Sequence, residues 1–173
     1  MDLKIITYNC QSYNSNSGII KNLLSVCDIL CIQESLISNS NSYLLNSIDD
    51  DFDFVLNDAV RDLDQFSGRS SGGLITFWKK SIDMRCVPVV INNRCLGLKL
   101  INDDISYLLL NVYFNCDYGN LESLLKYREN LAEISEFLSE YDFDELLLIG
   151  DMNADPNKGR FFKICLILRM LLI

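Results

Sequence analysis

Five polar side chains stand where apolar runs stop, and together they form a donor set suited to phosphate-ester chemistry. The run Leu3 to Asn9 ends on Asn9, Asp28 to Gln33 delivers Glu34, Ile105 to Phe114 carries Tyr113 near its end, and Leu146-Leu147-Leu148-Ile149-Gly150 runs into Asp151-Met152-Asn153. A carboxylate such as Glu34 among polar neighbours suits Mg²⁺, which takes oxygen ligands and keeps several of its waters. Asp151 with Asn9 and Asn153 beside such an ion would orient a water and hold phosphate oxygens. The Tyr113 hydroxyl, at a sheet rim, would donate to one of those oxygens. Each residue taken singly also has a plainer reading: Asn9 as a turn former, Glu34 as a solvated carboxylate, Tyr113 as a core aromatic, and Asp151 with Asn153 as a turn bonded to its own backbone.

These residues need rigid strand ends to hold them. Leu3 to Asn9 reads as a first strand, followed by a Ser- and Asn-rich loop from Ser12 to Ser17 and by Ile19, Ile20, Leu23, Leu24 and Cys27 at helical spacing. Asp28 to Gln33 is a second strand, so the opening residues form a strand–helix–strand unit that brings Asn9 and Glu34 to one sheet edge if its strands run parallel. Residues 35 to 50 read as a surface loop with a short helix, Phe52 to Leu56 as a short strand, and Asn57 to Ser71, with Arg61, Gly68 and Arg69, as a polar hairpin connection. Runs at Leu74 to Trp78, Met84 to Val90, Arg94 to Ile101 and Ile105 to Phe114 predict an antiparallel meander. Asn120 caps a helix to Leu138, with Leu121, Leu124, Leu125, Leu131, Ile134, Phe137 and Leu138 expected on its buried face. The last apolar run, ending at Gly150, is expected to be a strand covered on both faces.

The totals narrow the chemistry. At 173 residues and 49% hydrophobic content the chain is sized for one domain with a proper core. A net charge of -9 disfavours a module that grips nucleic acid by a broad basic surface, but is compatible with a phosphate held through a metal ion. The seven cysteines are scattered without a CxxC pair and are read as reduced core thiols, which points to an intracellular compartment. No signal peptide is visible, and the apolar stretch Ile164 to Ile173 is about half the ~20 residues needed to span a bilayer. The sequence contains no histidine, so no imidazole base or ligand is available from it.

In sequence order, Ile6-Thr7-Tyr8-Asn9, Ile32-Gln33-Glu34, Gly72-Gly73-Leu74-Ile75, Asn111-Val112-Tyr113 and Gly150-Asp151-Met152-Asn153-Ala154 resemble the successive motifs of the endonuclease/exonuclease/phosphatase superfamily. The phrases Thr-Tyr-Asn-Cys-Gln, Gly-Arg-Ser-Ser-Gly-Gly and Gly-Asp-Met-Asn-Ala-Asp, the last reaching Asp155 before Pro156, are most similar to the endonuclease domains of non-LTR retrotransposons. The resemblance implies a four-layer α/β sandwich with a Mg²⁺ site at one edge of two packed sheets, and DNA as substrate. It implies Glu34 as principal metal ligand, Asn9 as support for metal and phosphate, Asp151 as the group that orients or activates water, Asn153 on a phosphate oxygen and Tyr113 on the scissile phosphate.

The resemblance runs from residue 1 to about 160; 161–173 is an apolar tail that stops resembling the family, with Ile164 to Ile173 read either as a frame-shifted or intron-derived tail or as a divergent strand. The family continues to a late Asp and a Ser-Asp-His that this sequence lacks. The fold is therefore expected to be C-terminally truncated, and the chain to be inactive, in an intracellular, nuclear setting without membrane contact. Two other readings stand beside this one: a phosphatase of inositol phosphates or other small esters, and a non-catalytic remnant that binds a partner or itself through an exposed sheet.

Overall fold

The computed structural model describes residues 3–60, 71–116, 118 and 120–153. In chain order the elements are β1 (Ile5–Asn9), α1 (Tyr13–Leu24), β2 (Ile29–Gln33), a 3-10 helix (Asn39–Leu44), β3 (Phe52–Val60), β4 (Ser71–Lys79), β5 (Arg85–Asn92), β6 (Cys95–Ile101), β7 (Ser106–Tyr113), α2 (Leu121–Glu140) and β8 (Glu145–Asp151). They form two four-stranded sheets, ordered β1-β2-β4-β3 and β5-β6-β7-β8.

Alternation within the strands builds the layers. In β2, Ile29 and Cys31 join Trp78, Leu98, Leu100 and Leu109 in a core between the sheets, while Leu30 and Ile32 face outward and pack with Ile20 and Leu24 of α1. In β7, Leu108, Leu110 and Val112 turn to the opposite outer face, where Leu124, Tyr127, Leu131 and Ile134 of α2 cover them. The order is helix, sheet, sheet, helix, the expected four-layer α/β sandwich. Each fully buried Leu or Ile in these layers contributes ~2 kcal/mol of transfer free energy.

Two strand–helix–strand units frame the site. β1 and β2 pair in parallel with Asn9 beside Gln33, and β7 and β8 pair in parallel with Tyr113 beside Asp151. Parallel pairing sends the carboxyl ends of each pair to the same edge, so all four strands discharge their last residues there.

Several expectations need correction. β3 runs to Val60 rather than stopping at Leu56, and β4 does not start a meander: it enters the first sheet between β2 and β3, leaving β5, β6 and β7 as the meander. α1 starts at Tyr13, inside the stretch read as loop, with a kink at Asn16 where the side-chain amide donates to the Cys10 carbonyl at 2.8 Å. On α2, Leu121 and Leu125 are exposed, and Tyr127 and Asn130 take the buried stripe instead. β8 is an edge strand among the described residues, with Leu147 43% exposed, rather than a strand covered on both faces.

The six described cysteines are free; Cys10, Cys27, Cys31 and Cys95 are buried, Cys86 and Cys116 half-buried. Among the described residues no helix is long and apolar enough to cross a membrane. Arg61, Gly68, Arg69, Asp155, Pro156, Cys165, the domain boundary at 160 and the tail 161–173 lie outside the described residues.

Candidate active site

The backbone at this edge is shaped before any side chain reaches it. Glu34 and Asn153 both adopt the left-handed region, at φ 53° and 47°, a conformation non-glycine residues hold only where their surroundings impose it. Around Glu34 the imposition is visible: Cys10 N–H donates to the Gln33 carbonyl at 2.9 Å, Ser35 N–H to the Gly73 carbonyl at 3.1 Å, and Leu36 N–H to the Gly72 carbonyl at 3.2 Å. Gly73 has φ 84°, and a Cβ there would lie 2.5 Å from Ser35 Oγ, so only glycine lets β4 come this close. Gly150, at the end of the expected strand, lies within β8 at φ 126°, where a Cβ would collide with the Val112 carbonyl oxygen.

On this frame the expected residues converge across the two sheets. The Asn9 Nδ2 amide donates to Glu34 Oε1 at 2.7 Å and to Asp151 Oδ2 at 2.8 Å, joining three of them through one side chain. Asn9 Oδ1 accepts from the Gln11 N–H at 3.2 Å. Asp151 Oδ1 accepts the Asn153 N–H at 3.0 Å, closing the local turn, and Asn153 Nδ2 donates to the Phe114 carbonyl at 2.8 Å. Tyr113 meets Glu34 as well: burial first, then hydrogen bonding to that carboxylate and its charge, hold the phenol well above its ordinary pKa.

Two residues that sequence reasoning missed complete the corner. The Arg94 guanidinium lies over the Tyr113 ring at 4.9 Å from its centroid and makes no salt bridge among the described residues. Cys116 Sγ donates to Asn153 Oδ1 at 3.3 Å, and burial followed by the charges of Asp151 and Glu34 pushes its thiol pKa up. The signal for Arg94 was its place between two runs of the meander: it lies with Asn93 in the β5–β6 turn, where Tyr113 N–H donates to its carbonyl at 2.9 Å. Cys116 gave no signal beyond being one more cysteine.

The donor set can be tested against a metal. Among the described residues no group of three or more His, Cys, Asp and Glu side chains is placed to hold one. Two carboxylates, Glu34 and Asp151, share one amide, and the adjacent thiol is kept protonated. That set does not fit a closed zinc site, which needs four nitrogen or thiolate ligands. It fits a hard cation that retains most of its own water, as Mg²⁺ does.

The sequence family described as "Endonuclease/Exonuclease/phosphatase family" matches residues 6–171. Solved structures share the fold at low identity. An AP endonuclease from Leishmania major superposes with a TM-score of 0.66 at 19% identity, covering 88% of this chain and 55% of that one. A 3' phosphatase from Neisseria bound to product DNA hairpin gives 0.65 at 19%, covering 96% and 71%. An AP endonuclease from Archaeoglobus fulgidus gives 0.64 at 20%, covering 90% and 59%. The chain thus spans between about half and seven-tenths of the length of these structures. No curated protein matches the chain.

Proposed function

The chain belongs to the endonuclease/exonuclease/phosphatase family, and on that premise we propose that its acidic corner is a Mg²⁺-dependent phosphodiesterase site for DNA that lacks an imidazole base. The observation that carries the reading is the Asn9 amide bonded at once to Glu34 and Asp151, because it gathers polar ends from both sheets into one hard-oxygen cluster. Members of the family generally depend on a divalent metal. Glu34, with Asn9 in support, would hold the ion, and bound Mg²⁺ would supply positive charge against the phosphate and the oxyanion that develops on it.

The chain's own groups then have distinct tasks. Asp151, fixed by Asn9 and by the Asn153 N–H, orients the attacking water and takes up its proton. Asn153 has one amide hydrogen on the Phe114 carbonyl and offers the other to a phosphate oxygen. The Tyr113 hydroxyl is protonated across the physiological range and hydrogen-bonds Glu34; it would turn to the scissile phosphate once Glu34 takes up the cation. Arg94, stacked on that ring, offers a guanidinium to the same phosphate.

Without histidine, proton transfer falls on carboxylates and solvent, a deficit of roughly 10² to 10⁴-fold in rate. The 173-residue chain is therefore expected to bind Mg²⁺ but to nick DNA slowly or not at all. The test is calorimetric titration with Mg²⁺ alongside incubation with supercoiled plasmid. Binding that is lost in Glu34→Ala supports the site, absence of binding overturns it, and rapid Glu34-dependent nicking overturns the predicted deficit.

The motif wording supports an origin in a retrotransposon endonuclease with an intracellular, nuclear setting. The phosphatase reading is favoured by the acidic balance and by the 3' phosphatase among the structural neighbours. Phosphate release from inositol phosphates or a 3'-phosphorylated oligonucleotide, compared with nicking, separates the two. Self-association through the β8 edge, where Leu147 is exposed, would appear as a concentration-dependent mass in sedimentation.

A further inference from the structure

Between the apolar core of the sandwich and the acidic corner lies a buried layer of amides that the proposed chemistry leaves unused. Gln33 and Asn111 are 1% and 0% exposed. Gln33 Nε2 donates to Asn111 Oδ1 at 2.7 Å and to Thr7 Oγ1 at 2.9 Å. Asn111 Nδ2 donates to the Ile75 carbonyl at 3.1 Å and the Ile32 carbonyl at 3.2 Å, with Thr76 Oγ1 at 3.3 Å. Asn111 belongs to the second sheet, and its partners belong to the first, Ile32 and Gln33 on β2 and Ile75 and Thr76 on β4; the Gln33 bond to Thr7 joins β2 to β1 within the first sheet.

The position of this layer gives it a consequence. Gln33 is followed directly by Glu34, and Asn111 is followed two residues later, on the same face of β7, by Tyr113, the register partner of Asp151. The Asn9–Asp151 bond and the Tyr113–Glu34 contact run between sheets, so they depend on how far one sheet is offset along the other. Leucine-rich packing tolerates small slides and repacking. Hydrogen bonds do not, since they weaken steeply with distance and angle, and a buried layer of hydrogen-bonded amides selects one arrangement.

We propose that Gln33 and Asn111 are positioning residues: their cross-sheet bonds set the offset of the two sheets at which Asn9 reaches Glu34 and Asp151 together, and so hold the cation-binding oxygens in one place. The cation part of this inference rests on the function proposed above; the effect on Asn9 does not.

The test replaces the pair by apolar side chains of similar size, Gln33→Met with Asn111→Leu, in the full 173-residue chain. Three quantities are measured: the unfolding midpoint, the NMR resonances of the Asn9 side-chain amide without metal, and the Mg²⁺ dissociation constant. The expected result is a folded protein whose midpoint is unchanged or raised, whose Asn9 amide resonances move toward free-amide positions, and whose Mg²⁺ dissociation constant rises by roughly tenfold or more. A folded double variant with the original Asn9 resonances overturns the proposal. Thr76→Val, which removes the Oγ1 that lies 3.3 Å from the Asn111 Nδ2 donor across the two sheets, covers the case in which the double variant fails to fold. It should move the Asn9 resonances in the same direction and weaken Mg²⁺ binding by about threefold, a smaller loss than for the pair; unchanged resonances there overturn the proposal. If the unaltered chain binds no Mg²⁺, the functional reading fails while the Asn9 resonances still decide the positioning role.

Discussion

Both oxygens of Asp151 are engaged by the protein itself, Oδ1 by the Asn153 N–H and Oδ2 by Asn9. The turn and the site, which compete when the tetrapeptide is read alone, are two uses of one carboxylate: the turn fixes the side chain that the site then shares. The residue that makes this affordable is Gly150, since any Cβ there would collide with the β7 backbone at Val112. Gly150→Ala is expected to cost ~3 kcal/mol or more, read from urea unfolding. The control is Gly18→Ala, on an exposed face of α1 with nothing within 4 Å, which should stabilise by ~0.5–1 kcal/mol. Tyr113 carries the second prediction at this scale. Its folded pKa is raised above the ordinary value of 10.0, so the folded chain keeps a proton that the unfolded chain gives up. Its contribution is complete below that value and is lost as pH climbs through the folded pKa. Cys10 and Cys27, pushed up to about 11 by burial, act in the same direction from their ordinary 9.0. Tyr113→Phe should therefore remove part, not all, of the alkaline fall in the urea midpoint.

At the scale of elements, β4 shows what local sequence cannot decide. The run from Leu74 to Trp78 looks like a hairpin partner for the next strand, yet it crosses to β2, because Gly72 and Gly73 at φ 78° and 84° let its start close over the loop after Glu34. Its far end is fastened by Asp28, which pairs with Lys79 Nζ at 2.9 Å and accepts the Lys4 N–H at 2.9 Å. Those bonds, the Lys4 N–H first and Lys79 second, lower the Asp28 pKa below its ordinary 3.8. The stabilisation is thus present above that pH and disappears as pH falls through the folded value. Asp28→Asn should cost ~1 kcal/mol at neutral pH and nothing in acid once Asp28 itself is protonated, which thermal unfolding at two pH values checks. Other elements were legible because their signals are local: the parallel units from strand–helix–strand order, and the α2 start from Asn120, whose Oδ1 accepts the Ser123 N–H at 2.8 Å. The buried face of α2 was not, since its leucines occupy two neighbouring rows and only the width of the sheet beneath chooses the row of Leu124, Tyr127, Leu131 and Ile134. Arg94 and Cys116 escaped for the same reason: their role comes from which strand end lies opposite, which is a tertiary fact.

For the whole molecule the governing quantity is charge. A net charge of -9 repels a polyanion, and the acidic corner adds to that repulsion at short range. If the corner engages DNA, the contact has to be local, through a cation and the guanidinium of Arg94, rather than through a basic surface. Counterion release makes that distinction measurable, because log Kobs falls with log salt at about −0.9 per phosphate neutralised by protein cations. Binding of a short DNA duplex in Mg²⁺ should therefore be weak and follow a slope of about −1, and it should vanish in EDTA. Arg94→Ala would flatten the slope further. A slope of about −5 or steeper, or binding unaffected by EDTA, would instead mean that the contacts come from residues away from this corner, and the assignment of the corner as the DNA site would fall with it.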